Sequence, residues 1–461
     1  MTGPVTWTEL QALLDGVADY ESFLPVDDLL EATAAIAGAH PDRAAWERIG
    51  TSRLDEPIYE LTVAGGPRHA LVFAGVHPNE PIGSLTCLQL ARSLTADPEL
   101  TARLGYTWHI IPCIDPDGMR LNESWFGGSM TRVEYGRGFY RPAPDEQVEW
   151  TFPFKYKDVY FDRVMPETVA LMRVIDDTKP VFMCSLHNGE LGGVYYYLSH
   201  EAPELYGTLS AIPEHFGLPL DVGEPEAPYI KQLAPAIYGA IRMEDAYEYS
   251  VSLGIDPKAT MESGDSSASY ARKYGTFMLV SELPYWIHPD ASDESPSDQR
   301  YGDVVAERGR RIGELADLLE EMLSRTGPDL TIDSPFLRAT RQFAPLLGRM
   351  AEQDAKRAGL AESDRPATVA EAFSTADLVH GFRLRYGGML IRALRAEVDA
   401  GLGTPRTRAG LRRLEAQYDA WCEQAMAVTP ADTVPIRSLV GVQYGAIVAA
   451  ADYAARHREA G

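Results

Sequence analysis

The rhythm of apolar residues along the chain changes three times. Over residues 7–38 they recur every three or four positions ("WTELQALLDGV", "VDDLLEATAAIAGAH"), the spacing that lines one face of a helix. "PIYELTVAG" and "RHALVFAGV" follow, rich in β-branched residues and parted by Gly-Gly-Pro, and these predict two strands. Helical and strand patterns then alternate. "IGSLTCLQLARSLTAD" and "PETVALMRVIDDTKP" predict helices; "YTWHIIPCIDPDG", "VFMCSLHNG" and the end of "YARKYGTFMLVSELPYW" predict strands, and "YYYLSH" a further one. Such alternation predicts an α/β fold with a mixed central sheet flanked by helices. From about residue 303 the spacing is helical almost to the end, for example in "ERGRRIGELADLLEEMLSR" and "TRAGLRRLEAQYDAWCEQAMAV". We therefore expect one domain at 1–330 and an additional all-α domain at 331–461.

Two stretches follow neither period, residues 119–163 and 221–266. The first is crowded with aromatics ("WFGGSMTRVEYGRGFYRPAPDEQVEWTFPFKYKDVYF"), which argues against disorder and for a functional loop. Both are expected to wall a pocket.

Composition removes several functions. The 461 residues are 45% hydrophobic and carry a net charge of −25, so no basic face is offered to nucleic acid. The N-terminus has neither a basic segment nor an apolar core of a signal peptide, and no apolar run approaches the ~20 residues of a membrane span. Cys87, Cys113, Cys184 and Cys422 are widely spaced, without a CxxC pair, as free thiols of a reducing compartment would be. The expectation is a cytoplasmic protein that binds neither nucleic acid nor membrane.

Candidate chemistry begins at "LVFAGVHPNEPIG". His77 and Glu80 stand three apart where an apolar run stops, and Pro81 and Gly83 are expected to turn the chain. One turn can aim both side chains at one point, but two ligands leave the metal reading weak. His187, at the end of "KPVFMCSLHNG", supplies a third ligand at a matching strand end; catalytic zinc typically takes three protein ligands and leaves a position for water. Glu282 interrupts "TFMLVSELPYW" just before Pro. A carboxylate buried there has a raised pKa, suited to accepting a proton from water. No GxSxG elbow and no phosphate loop compete with this reading.

The order "GVHPNE", "DPDG", "SLHNG", "SELPYW" resembles the zinc carboxypeptidase family, the carboxypeptidase A-like metallopeptidases or funnelins, whose cousins are desuccinylase- and aspartoacylase-type deacylases. The resemblance covers roughly residues 25 to 325. It implies zinc held by His77, Glu80 and His187, with Glu282 as general base. It also implies an arginine that stabilises the oxyanion, for which Arg132 is nearest in spacing, with Arg120 and Arg137 as alternatives. The family's Asn-Arg pair that grips a terminal carboxylate is replaced in "QVEWTFPF" by Glu149 and Trp150. Arg137 or Arg141 would have to substitute, and Trp150 would line an aromatic pocket. Neither Glu nor Trp can imitate the planar donors of arginine, so simple exopeptidase specificity is in doubt.

The expected function is zinc-dependent hydrolysis of an amide or peptide bond in a peptide or acyl-amino acid. The alternative is a silent peptide- or ligand-binding protein on the same scaffold. The C-terminal helices, in which no chemistry is evident, are a candidate surface for homo-oligomerisation. His288, just beyond the Glu282 strand, is a candidate pocket residue.

Overall fold

The computed structural model describes residues 4–428 and 432–457. Among these, nine strands build one mixed sheet. In chain order they are β1 (Ala44–Thr51), β2 (Pro57–Val63), β3 (Arg68–Phe73), β4 (Tyr106–Ile111), β5 (Phe182–His187), β6 (Tyr195–Leu198), β7 (Gln232–Ala234), β8 (Ile237–Gly239) and β9 (Phe277–Glu282). Side by side they run β1-β2-β4-β3-β5-β9-β6-β8-β7. The central four, β4, β3, β5 and β9, are parallel, while β1, β2, β6 and β7 make the antiparallel pairings.

Parallel strands covered on both faces read as near-continuous apolar runs, which is why β3, β5 and β9 lack polar alternation. Successive side chains serve opposite faces. Ala70, Val72, Phe182, Cys184, Leu186, Phe277 and Leu279 join one buried cluster. Leu71, Phe73, Met183 and Met278 join the other.

The helices that matter here are α1 (Val26–Ala39), α2 (Ile82–Ala96), α3 (Pro166–Thr178), α4 (Pro203–His215), α5 (Tyr301–Thr326), α6 (Pro335–Arg357), α7 (Val369–Asp399), α8 (Pro405–Val428) and α9 (Ile436–His457). Helices α2 and α9 cover the first sheet face, with α4 against α9. Leu171 and Ile175 of α3 cover the second. Helices α5 to α8 pack on one another, and α7 reaches the short helix Arg132–Gly138. The structure thus has the α/β fold with flanking helices that the alternation predicts, and the C-terminal helices are present.

Three details differ from expectation. Asp-Pro-Asp-Gly does not form a plain turn: Asp115 caps a short helix, Pro116–Arg120, by accepting from the Gly118 amide. Helix α7 begins at Val369, where Thr368 and Glu371 form a capping box, well before the apolar spacing at Gly387 makes it visible. Helix α9 leaves the other C-terminal helices and lies against β5 and β9. No helix among the described residues is long and apolar enough to cross a membrane. All four cysteines are free and buried.

Candidate metal centre and its cavity

The parallel strands β3, β5 and β9 end on the same side of the sheet, the edge at which open α/β sheets hold ligands. Beyond β3, the Glu80 amide donates to the His77 carbonyl at 3.0 Å, closing a tight turn that points both side chains inward. Gly83 does not turn the chain but lies in the first turn of α2. A Cβ there would stand 2.6 Å from the Leu186 Cβ, so glycine lets α2 approach β5 this closely. His187 ends β5 and Glu282 ends β9, and the two are register partners.

These positions bring His77, Glu80 and His187 together. The His77 and His187 Nδ1 atoms are 3.1 Å apart. The Glu80 carboxylate lies 3.2 Å from the first and 3.3 Å from the second. Zinc bonds of about 2.0–2.1 Å in tetrahedral geometry require ligand atoms roughly 3.3 Å apart, so the three donors fit that ion. They are also of the right type, two imidazoles and a carboxylate, and all are buried. The Ser185 hydroxyl, two residues back on the same face of β5, meets His187 Nε2 at 2.8 Å, which fixes the ring with Nδ1 inward.

Electrostatics divide the two histidines. Burial, with help from the Arg141 charge, pulls His77 down to about 3, so its imidazole is neutral at pH 7, as a metal ligand must be. Burial also opposes charge on His187, but the Glu80 hydrogen bond and the Glu282 and Glu80 charges outweigh it and raise it to about 9. Burial opposes ionisation of Glu80, yet the two histidines hold it below the usual carboxylate range. Glu282 is different: burial pushes it well above that range, although the His187 charge acts against this. Its Oε1 is 3.8 Å from His187 Nδ1.

A cavity of about 450 Å³ opens over these groups. His77, Glu80, His187, Glu282, Arg141 and Trp150 all line it. Arg141 Nη1 approaches Glu80 at 3.4 Å. Arg132 and Arg137 are not among the lining residues. Arg132 is buried in an ion pair with Asp377 at 2.8 Å, because its short helix packs against α7. Arg137 pairs with Asp419 at 2.8 Å on the exposed side of the same helix. Spacing from Asp115 favours Arg132, but the chain folds back before position 141 and Arg141 is the arginine delivered to the metal ligands. His288 stacks on Phe373 instead, with ring centroids 4.5 Å apart, and borders a separate depression.

Glu149, next to Trp150, turns its carboxylate into this wall and accepts from the Ser267 amide at 3.3 Å and hydroxyl at 3.0 Å. Burial pushes it up to about 7. Both irregular stretches do line the cavity, through Arg141, Glu149 and Trp150 and through Asp221, Glu226 and Tyr238. The C-terminal helices, where no chemistry was expected, contribute Asp377 and Arg385 of α7 to the cavity lining, and α5 contributes Arg308. Gln443 of α9 donates to the His187 carbonyl at 2.8 Å and the Ser281 carbonyl at 3.3 Å. It clamps the ends of β5 and β9 together. A polar residue amid the apolar run of α9 was the available signal.

A second group, Asp115, Asp117 and Glu167, also brings three buried ligand atoms together. Four of its six oxygens are committed to architecture, while Asp115 Oδ2 and Glu167 Oε2 are buried without a hydrogen-bond partner. Asp117 accepts from the Ser52 hydroxyl at 2.7 Å and the Leu54 amide at 3.0 Å, and Glu167 from the Arg53 amide at 2.9 Å. None of the three lines the cavity.

Residues 29–221 match the family model of the zinc carboxypeptidases. The resemblance carried by the motifs is therefore shown. Solved structures similar to this chain include carboxypeptidase A from Helicoverpa armigera, at 12% identity over 76% of this chain and 79% of that one, with a TM-score of 0.39. A metallo-carboxypeptidase from Burkholderia cenocepacia shares 20% identity over 55% of this chain and 59% of that one, TM-score 0.32. Bovine thrombin-activatable fibrinolysis inhibitor, solved with a tick carboxypeptidase inhibitor, shares 13% over 57% and 86%, TM-score 0.35. No curated protein matches the sequence. The family-model match, over less than half of the chain, supports a metallopeptidase-like hydrolase.

Proposed function

We propose that the chain hydrolyses an amide or peptide bond of a small or modified peptide or an acyl-amino acid, with zinc held by His77, Glu80 and His187. The observation that carries this reading is the meeting of the two imidazole Nδ1 atoms and the Glu80 carboxylate beside the Glu282 carboxyl in one cavity. A zinc ion bound there would supply an acidic water and polarise the scissile carbonyl.

The residues of the chain do the rest. Glu282 takes the proton of the attacking water on its carboxylate, the water oxygen bonds to the carbonyl carbon, and the C–N bond breaks as Glu282 returns that proton to the amine nitrogen. The desolvation that holds protons on Glu282 makes it an effective carrier between the two. Arg141, beside Glu80, is the group placed to meet developing negative charge on the carbonyl oxygen. This replaces Arg132 in that role. Arg132 acts through Asp377, fastening α7 over the cavity. Trp150 gives an apolar wall.

Glu149 in place of a carboxylate clamp favours a deacylase or amidase over a simple carboxypeptidase. The free thiols fit a cytoplasmic location. We further propose that the helices beyond residue 330 serve the enzyme as its roof. The alternative, a silent binding protein, keeps the cavity without turnover. The test is amine release from acyl-amino acids and short peptides by zinc-loaded protein and by Glu282→Gln. The reading expects metal in both and turnover in the first alone. Turnover by metal-free protein overturns it.

A further inference from the structure

The charges in this cavity do not balance among themselves. Arg308 is spent on Asp354 in a two-pronged pair at 2.7 and 2.5 Å, and Arg385 on Glu190 at 2.9 Å. Arg141 leans on Glu80. Three lining carboxylates, in contrast, enter no ion pair among the described residues. Glu226 accepts from the Tyr195 hydroxyl at 2.7 Å, Asp221 from the Gly223 amide at 3.0 Å, and Glu149 from Ser267. Glu149 is buried, Asp221 half-buried and Glu226 exposed; with no cation paired to them, their charge repels an anionic occupant and attracts a cationic one.

The strand register places aromatic rings beside this surplus. Tyr195 and Tyr197 are two apart on β6 and share a face, and Tyr238 on β8 is the register partner of Tyr197. The ring centroids of Tyr197 lie 5.9 Å from those of both Tyr195 and Tyr238. Tyr195 is in turn the register partner of Glu282. A cation is attracted to such ring faces, and Glu226 at the cavity mouth adds a formal charge.

Asn188 makes an independent demand. It lines the cavity next to His187, is only 7% exposed, and neither Oδ1 nor Nδ2 has a hydrogen-bond partner. A side chain with both a donor and an acceptor unmet is completed by a ligand that offers both, as an amide does.

We propose that the cavity recognises an amide substrate bearing a cationic side chain, an alkylammonium or guanidinium group that seats between Glu226 and the Tyr195, Tyr197 and Tyr238 rings while Asn188 holds an amide of its backbone. The inference rests on the amide-hydrolase reading for the substrate backbone.

Binding and turnover separate the two. Calorimetry on the full chain would compare N-acetyl-Ala-Lys and N-acetyl-Lys-Ala with their norleucine and glutamate counterparts. At least one lysine peptide is expected to bind about tenfold more tightly than its norleucine match, a difference of about 1.4 kcal/mol, with the glutamate peptides weakest. Glu226→Gln should erase most of that preference, with circular dichroism and a thermal melt like those of wild type certifying the fold. Equal binding of lysine and norleucine peptides, an unaltered preference in Glu226→Gln, or no binding at millimolar concentration overturns the proposal. Lysine preference without amine release leaves it standing and sinks the hydrolase reading instead.

Discussion

The structure contains two buried trios of metal-ligand type that differ in nearly everything else. His77, Glu80 and His187 hang from strand ends and a turn, face a cavity, and bond chiefly to each other. Asp115, Asp117 and Glu167 face the wall of the protein and hold loop amides and a serine hydroxyl. In the second trio burial raises Asp115 to about 7, well above the ordinary carboxyl range. In the first, the His77 imidazole is held neutral, the neighbouring carboxylates keep a proton on His187, and Glu80 is ionised. Proximity and burial are common to both, so donor type and access to a cavity separate a site from a structural knot.

The largest expected effect concerns the support beneath the first trio. A chain ending at residue 330 loses α9, whose Leu439, Val440, Val442, Ile447 and Val448 are fully buried. At about 1.5–3 kcal/mol for each such side chain, their loss is comparable with the whole stability of a typical domain. Circular dichroism of the truncated chain should find no cooperative melt, and a native-like melt would show that the sheet stands without α9. Next comes Glu282→Gln, expected to cut turnover about 10²–10⁴-fold at unchanged zinc content. A similar loss from Asp117→Asn would erase the contrast between the trios.

The third effect is a pH dependence of stability belonging to the second trio. Asp115 binds its proton up to about pH 7 in the folded chain and only to the ordinary carboxyl range when unfolded. The folded state therefore holds more protons between pH 4 and 7, and stability falls as pH rises through that window, then levels off. For one such group the fall is on the order of 4 kcal/mol. Denaturant midpoints of Asp115→Asn should show a shallower decline than wild type. An identical slope would mean that Asp115 ionises freely. The smallest effect is that of Gln443→Leu, expected to weaken the clamp on β5 by about 1–3 kcal/mol by leaving the His187 and Ser281 carbonyls unmet. It should lower the melting temperature without removing zinc.

The strand–helix alternation made the sheet legible, because β3, β5 and β9 are short apolar runs soon followed by Gly or Pro or ended by a polar residue. The four motif residues were legible for the same reason, a polar group ending or breaking an apolar run. The arginines were not. Arg132, Arg137 and Arg141 lie in one irregular stretch, where neither period nor spacing says which way a side chain faces, and packing of a short helix on α7 decides it. The roof residues Arg308, Asp377 and Arg385 also escaped detection. On an amphipathic helix, a charge that faces a cavity and one that faces solvent occupy the same polar stripe.

The central claim is that the first trio, and not the second, holds zinc. Titration of metal-free protein with zinc, followed by calorimetry, tests it in wild type, His187→Ala and Asp117→Asn. The account predicts one tight site per chain in wild type and in Asp117→Asn, and none in His187→Ala. Tight zinc binding that survives His187→Ala and vanishes in Asp117→Asn would contradict it.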